Sequence, residues 1–412
     1  MSDIYVIGVG MTRFGKFLDR SVKDLTRDAV EAALADAGVA RESVGAAYFA
    51  NASQSAMEGQ YMVPGEIALR AMGFGEIPIV NVENACASAS TAFQLAWMHL
   101  KAGQSDVALA VGAEKMYSAD RAKSFAVFNG AWDVHDVEQL TGRLIELGRG
   151  VEPPPERALD NRQRSVFMDV YASLAKFHMK SFGMTERQLA VVAAKNHRHS
   201  TLNPLSQYRN DMTVEEVLAA RTISWPLTLP MCAPISDGAA AAILVREEAL
   251  ERFDRSRAVK VCASVLASGS DRRPEELDKH ICRRAARRAY EIAGVGPQDM
   301  SVAEVHDASA FAEILQAENL GFCGPGEGGS LAESGATALG GRIPINPSGG
   351  LESKGHPIGA TGLGQIYELV TQLRGEAGAR QVQGARFAIA ENGGGFHGWE
   401  EAAAVITILG QA

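Results

Sequence analysis

Two stretches far apart in the chain carry the same pattern, and that duplication limits the fold more than any other feature. "AVEAALADAGVARESVGAAYF" begins at Ala29, and "AARRAYEIAGVGPQDMSVAEV" begins at Ala285. Ala33 falls on Ala289, and Ala37-Gly38-Val39 falls on Ala293-Gly294-Val295. In each copy a helical pattern reaches a glycine stop and passes into a short strand. A second pair follows in the same order, "DVALAVGAE" ending at Glu114 and "ARFAIAEN" ending at Asn392. Repetition in order predicts two related α/β halves, about 1–258 and 259–412.

Within the first half, strand and helix alternate. "IYVIGVG" reads as a buried strand, Asp24 to Val39 as a helix, "GAAYFAN" as a strand, and "IPIVNVE" as another. "ASTAFQLAWMHLKAG" puts Phe93, Ala96, Trp97 and Leu100 on one helical face. Such alternation implies a mostly parallel sheet covered on both faces. A polar, broken excursion spans about 116–232, and insertions of this kind form lids or substrate walls. Its "EPPPERALDNRQR" segment is a candidate wall for a bulky substrate.

Composition narrows the class. The 412 residues are 46% hydrophobic and 22% charged, with a formal net charge of −9 and no block of like charge. A basic nucleic-acid surface is not expected. No run of 18 apolar residues predicts a membrane span, and "MSDIYVIGVG" lacks the layout of a secretion signal. The cysteines, Cys86, Cys232, Cys262, Cys282 and Cys323, are odd in number and include no C-x-x-C pair. That argues against a disulfide framework and a zinc site, and for a cytoplasmic enzyme with reduced thiols.

Four segments hold residues suited to chemistry. In "NACASAS", Cys86 sits where a strand hands over to a helix, and a helix N-terminus favours the thiolate. A buried cysteine of an Ala-rich helix has the same local look. "NPSGGLESKGHPIGATGLGQ" places His356 in a glycine-dense loop, where it serves as base or oxyanion donor, or merely caps a turn. "AEVHDASAF" puts His306 and Asp307 just after a predicted strand, the position where open α/β sheets build sites. In "AENGGGFHG", Glu391 and Asn392 precede three glycines whose N–H groups are free to form an oxyanion hole. "GVGMTRFG" is not a dinucleotide fingerprint, and His197 and His199 lack the neighbours of a metal site.

Together and in this order, these segments resemble the thiolase superfamily. "NACASAS" is similar to its nucleophile motif and "GHPIGATG" to its histidine motif. "HDASAF", "LGFCGPGEGG", "NPLSQYR" and "PISDGAAAAIL" resemble the branch of sterol-carrier-protein and archaeal thiolases. The resemblance covers nearly the whole chain. It implies a duplicated thiolase fold of two βαβαβαββ halves, layered sheets around buried helices, and a loop domain inserted in the first half. It implies Claisen condensation of acyl-CoA or thiolysis of a 3-oxoacyl-CoA, with coenzyme A as co-substrate, no permanently bound cofactor and no metal. Cys86 would be acylated and His356 would activate it. His306 and His356 would form one oxyanion hole, and the N–H groups of Cys86 and Gly393 the other. A homodimer or dimer of dimers is implied, and some members of this branch act with a small zinc-ribbon and OB-fold partner.

One departure stands out. Thiolases use a second cysteine as acid/base, yet its two known places hold Glu391 and Ala308 here. Glu391 is therefore the expected replacement, with a structural role inherited from its repeat counterpart Glu114 as the competing reading. Two other activities fit the same fold: a retro-aldolase acting on a CoA thioester and a non-catalytic acyl-CoA-binding subunit. Retention of Cys86, His306 and His356 together favours acyl transfer.

Overall fold

The computed structural model describes residues 2–157 and 166–412, so residues 158–165 of the expected substrate wall lie outside the described residues. Nine strands form one mixed sheet. In chain order they are β1 (Ile4–Met11), β2 (Ala46–Ala50), β3 (Ile79–Val82), β4 (Val107–Glu114), β5 (Gly238–Arg246), β6 (Val259–Ser268), β7 (Val302–Glu304), β8 (Phe387–Gly394) and β9 (Ala403–Gln411). Their spatial order is β3-β2-β4-β5-β1-β6-β9-β8-β7. The duplication is visible in this order. Each half puts its first strand at the middle of the sheet, then its last strand, then its parallel strands outward. The halves join where β1 pairs antiparallel with β6, Tyr5 opposite Lys260 and Val6 opposite Val259.

The principal helices are α1 (Val22–Ala37), α2 (Ser88–Lys101), α3 (Val166–Phe182), α4 (Glu186–Thr201), α5 (Ile281–Ala293), α6 (Ala310–Asn319) and α7 (Thr361–Leu373). The first starts two residues before the sequence reading because Ser21 caps it. Its hydroxyl accepts from the Asp24 N–H while the Asp24 carboxylate accepts from the Ser21 N–H. Gly38, at φ 62°, ends it. The helices α2 and α7, one per half, share a core with β1, β4 and β5. Phe93, Ala96 and Leu100 meet Leu363, Ile366 and Leu369 there. Trp97 of the predicted face is only partly buried. The two helices approach so closely that a Cβ on Gly362 would lie 2.2 Å from Ser90 Oγ. The excursion forms its own core, in which Tyr171 and Ala175 of α3 and Leu189 and Val192 of α4 pack against Phe311 and Ile314 of α6. Among the described residues, no helix is long and apolar enough to cross a membrane.

A buried ion pair fixes the loop that carries His356. Lys354 Nζ lies 3.0 Å from Glu304 Oε2 at the end of β7, with both side chains at most 1% exposed. Glu304 also accepts from the Ser348 N–H and hydroxyl, so one carboxylate holds both ends of segment 348–354. Removing one member of such a pair strands the other charge in the interior. Lys354→Met should therefore cost about 3–5 kcal/mol of unfolding free energy. The double variant Lys354→Met/Glu304→Gln should regain most of it in denaturant titrations. A single variant as stable as wild type would show that the pair does not anchor the loop.

Candidate active site

The chain arrives at Cys86 from β3 through a tight turn. Ala85 adopts φ 49°, a left-handed conformation that costs energy for a residue with a Cβ. The turn is braced by Ser88, whose hydroxyl accepts from the Asn84 N–H at 2.8 Å and donates to the Ala85 carbonyl at 2.6 Å. Residues 85–87 form a 3-10 turn that runs directly into α2. The backbone of β8 lies against this turn. A Cβ on Gly394 would stand 2.2 Å from the Asn84 carbonyl and 3.0 Å from the Cys86 nitrogen, so only glycine allows the contact.

Cys86 Sγ lies 3.3 Å from His356 Nε2, bringing together residues 270 positions apart. The other ring nitrogen, Nδ1, is 2.7 Å from Thr361 Oγ1, and that hydroxyl donates its own proton to the Pro357 carbonyl at 3.0 Å. Thr361 can then only accept from His356, so Nδ1 carries the proton and Nε2 presents a lone pair to the thiol. Ser236 positions the loop by accepting from the His356 N–H at 2.9 Å.

The charge state differs from the expectation for a helix N-terminus. Burial pushes the Cys86 thiol up to about 12, and the Glu114 carboxylate adds to the effect. The backbone N–H groups of Cys86 and Gly395 act the other way, with smaller effect. Burial, with His306 beside it, holds His356 well below the usual histidine range. The resting pair is therefore a thiol facing a neutral imidazole, since desolvation outweighs the helix end. Besides the Cys86 N–H, the N–H that favours negative charge on the sulfur belongs to Gly395, two residues beyond Gly393, the expected oxyanion donor. Gly393 sits opposite Ala404, with Glu401 packed against its α-carbon.

His306 completes the cluster. Its ring meets that of His356 edge-on, with centroids 5.2 Å apart. It is 3% exposed, its Nε2 has no hydrogen-bond partner among the described residues, and burial lowers it to about 4. Asp307 turns away from this cluster and accepts from the Leu351 N–H at 2.7 Å, tying the histidine strand end to the His356 loop.

Glu391 is placed differently from the expectation that it replaces the missing acid/base cysteine. Its Oε2 accepts from the His306 N–H at 2.9 Å and its Oε1 from the Cys282 thiol at 3.3 Å. Strand alternation explains this. Asn392 and Gly394 face Ser90 and Cys86, whereas Glu391 and Gly393 face the Cys282 and Glu401 side. Glu114 does the equivalent work in the first half, where it accepts from the N–H groups of Ala52 and Ser53 just after β2. Both carboxylates clamp the loop following the neighbouring parallel strand. These contacts are what a structural role inherited from the duplication requires. Burial, then Glu401, raises Glu391 to about 8.

Sequence reasoning missed Thr361, although it lies in the same motif as His356 and its hydroxyl decides the tautomer. Cys282, Ser236 and Gly395 were also missed, because their roles come from contacts between distant segments. An aromatic cluster closes one side of the excursion: Trp132, Phe167 and Tyr171 surround Phe396, with centroids 5.2 to 5.7 Å from it. His197 and His199 hold structure. His199 Nδ1 faces the Asn346 carbonyl, and its Nε2 accepts from the Leu339 N–H. His197 Nε2 faces the Pro230 carbonyl.

Comparison with known proteins gives this geometry its context. Residues 4–219 match the family model "Thiolase, N-terminal domain", and residues 266–411 match "Thiolase C-terminal domain-like". An acetyl-CoA acetyltransferase of Methanothermobacter thermautotrophicus is 37% identical over 403 residues, covering 97% of this chain and 98% of the relative. Sterol carrier protein 2 of Homo sapiens is 36% identical over 399 residues, covering 94% of this chain and 69% of that protein. Among solved structures, the Ltp2-ChsH2(DUF35) aldolase superimposes with a TM-score of 0.78 at 23% identity, covering 100% of this chain and 98% of that one. Human mitochondrial 3-ketoacyl-CoA thiolase superimposes with a TM-score of 0.69 at 17% identity, covering 100% and 99%. At those identities the two structures speak for the fold alone. With both ends matched by family models and an alignment running almost end to end, the chain belongs to the thiolase family.

Proposed function

We propose that this chain is an acyl-CoA C-acyltransferase that cleaves a 3-oxoacyl-CoA by thiolysis, or runs the reverse Claisen condensation, through an acyl-Cys86 intermediate. The observation that carries the reading is the Cys86–His356 contact, with the histidine tautomer fixed by Thr361. As Sγ attacks the carbonyl carbon, His356 Nε2 takes the thiol proton. The tetrahedral oxyanion is held by the Cys86 N–H and an N–H of the Gly393–Gly395 run. His306 Nε2, once protonated or hydrogen-bonded through a tautomer change, and His356 steady the thioester oxygen on which enolate charge develops. With Glu391 bound to the His306 backbone, the proton steps fall to His356, His306 or water. Coenzyme A is the co-substrate, and no cofactor is required.

A thiolase-fold retro-aldolase is the second reading. It is favoured by the absence of a second cysteine at positions 308 and 391. The superimposed aldolase structure was solved with a DUF35 partner, and co-expression with a subunit of this kind would test whether this chain also takes one. A homodimer is the proposed minimal assembly.

Cys86→Ala should abolish thiolysis of a 3-oxoacyl-CoA while leaving the thermal unfolding midpoint near that of wild type. Turnover preserved in that variant would sink the acyl-transfer reading and revive the aldolase. His356→Ala should slow alkylation of Cys86 by iodoacetamide by about 10²–10⁴-fold, a general-base contribution. Equal alkylation rates in the two proteins would show that His356 does not activate the thiol.

A further inference from the structure

Three donor atoms from three distant segments converge in the site. Cys86 Sγ, a His306 ring nitrogen and a His356 ring nitrogen all lie within 4.8 Å of one another, and all three residues are buried. Thr361 leaves His356 Nε2 with its lone pair toward the sulfur. His306 Nε2 has no hydrogen-bond partner among the described residues. Zinc binds thiolate at about 2.3 Å and imidazole at about 2.0–2.1 Å, so tetrahedral neighbours stand about 3.3–3.6 Å apart. A sulfur–nitrogen pair takes the long end of that range, and the 3.3 Å from sulfur to His356 lies within about 0.3 Å of it. A His/His/Cys set with one open position is a borderline-soft site suited to zinc.

A second buried cluster, His280, Cys282 and Glu401, has the same compactness but the wrong protons. His280 Nδ1 accepts from the Cys282 N–H at 3.2 Å, so its Nε2 carries the proton, facing Glu401 Oε2 at 3.5 Å. The Cys282 thiol donates to Glu391. This cluster is satisfied by its own hydrogen bonds, whereas the one around Cys86 leaves His306 Nε2 without a partner among the described residues.

We propose that Cys86, His306 and His356 form a zinc(II) site that holds the enzyme inactive by capping the nucleophile and occupying the oxyanion donors. As the S–Zn bond forms, the thiol proton leaves to solvent; no electron is transferred. The sequence reading expected no metal, and the three residues have no local spacing that would suggest one. The inhibitory consequence rests on the acyl-transfer reading, and the metal site does not.

Cobalt(II) is the probe. The metal-free protein, titrated anaerobically, should take one equivalent and develop a thiolate-to-cobalt charge-transfer band with tetrahedral visible bands, both bleached by zinc. Cys86→Ala, with its thermal midpoint checked, should lack the charge-transfer band, His306→Ala should alter the visible bands, and Cys282→Ala should keep both. Thr361→Val should keep the band and bind about 10–100-fold more weakly, as expected for loss of a group that orients a ligand histidine. Stoichiometric zinc should also block alkylation of Cys86 and thiolysis, with recovery on adding EDTA. No band, or a band that persists in Cys86→Ala, would overturn the site. A Cys86-dependent band with thiolysis unaffected by zinc would overturn the inhibition. A Cys86-dependent band in a protein that never performs thiolysis would remove the acyl-transfer reading and leave the metal site standing.

Discussion

Everything at the site depends on one contact, a buried thiol and a neutral imidazole 3.3 Å apart. Burial works against charge on both partners, since it raises the thiol and lowers the histidine. The contact is thus a reservoir of reactivity rather than a stored ion pair. In the proposed acyl transfer, proton transfer becomes favourable only as the sulfur bonds to an acyl carbon and its charge moves onto an oxyanion. The backbone N–H groups of Cys86 and Gly395 already favour negative charge on the sulfur.

Holding such a pair requires two loops from different halves to be rigid. Lys354 and Glu304 fix the start of the His356 loop, Asp307 ties it to the His306 strand end, and Ser236 holds the His356 N–H. On the other side, Ser88 and the Gly394 contact hold the Cys86 turn. The same duplication that builds the sheet supplies the clamps, Glu114 in one half and Glu391 in the other.

Much of this was legible in the sequence because it is local or periodic. The repeat beginning at Ala29 and Ala285 announces two α/β halves, and "DVALAVGAE" and "ARFAIAEN" follow as a second pair in the same order. The nucleophile and histidine segments can be read from glycine density and small neighbours. What stayed hidden depends on distance in sequence. Glu391 was given a proton-shuttling place from its position in the missing cysteine's motif, and strand position alone does not reveal that its carboxylate reaches the His306 N–H and the Cys282 thiol. The thiol's charge state was misjudged for a related reason: a helix end is visible in sequence, whereas desolvation belongs to the whole fold. Thr361 was within reach, five residues from His356, had the tautomer been asked about.

The central claim is that Cys86 carries the acyl group covalently. Intact-mass measurement after brief incubation with acetyl-CoA and longer acyl-CoA thioesters, followed by peptide mapping of the quenched protein, tests it directly. The account predicts a mass increase equal to one acyl group, located on the peptide containing Cys86, and reversed by added coenzyme A. An unmodified protein under turnover conditions, or an adduct on another residue, would contradict it.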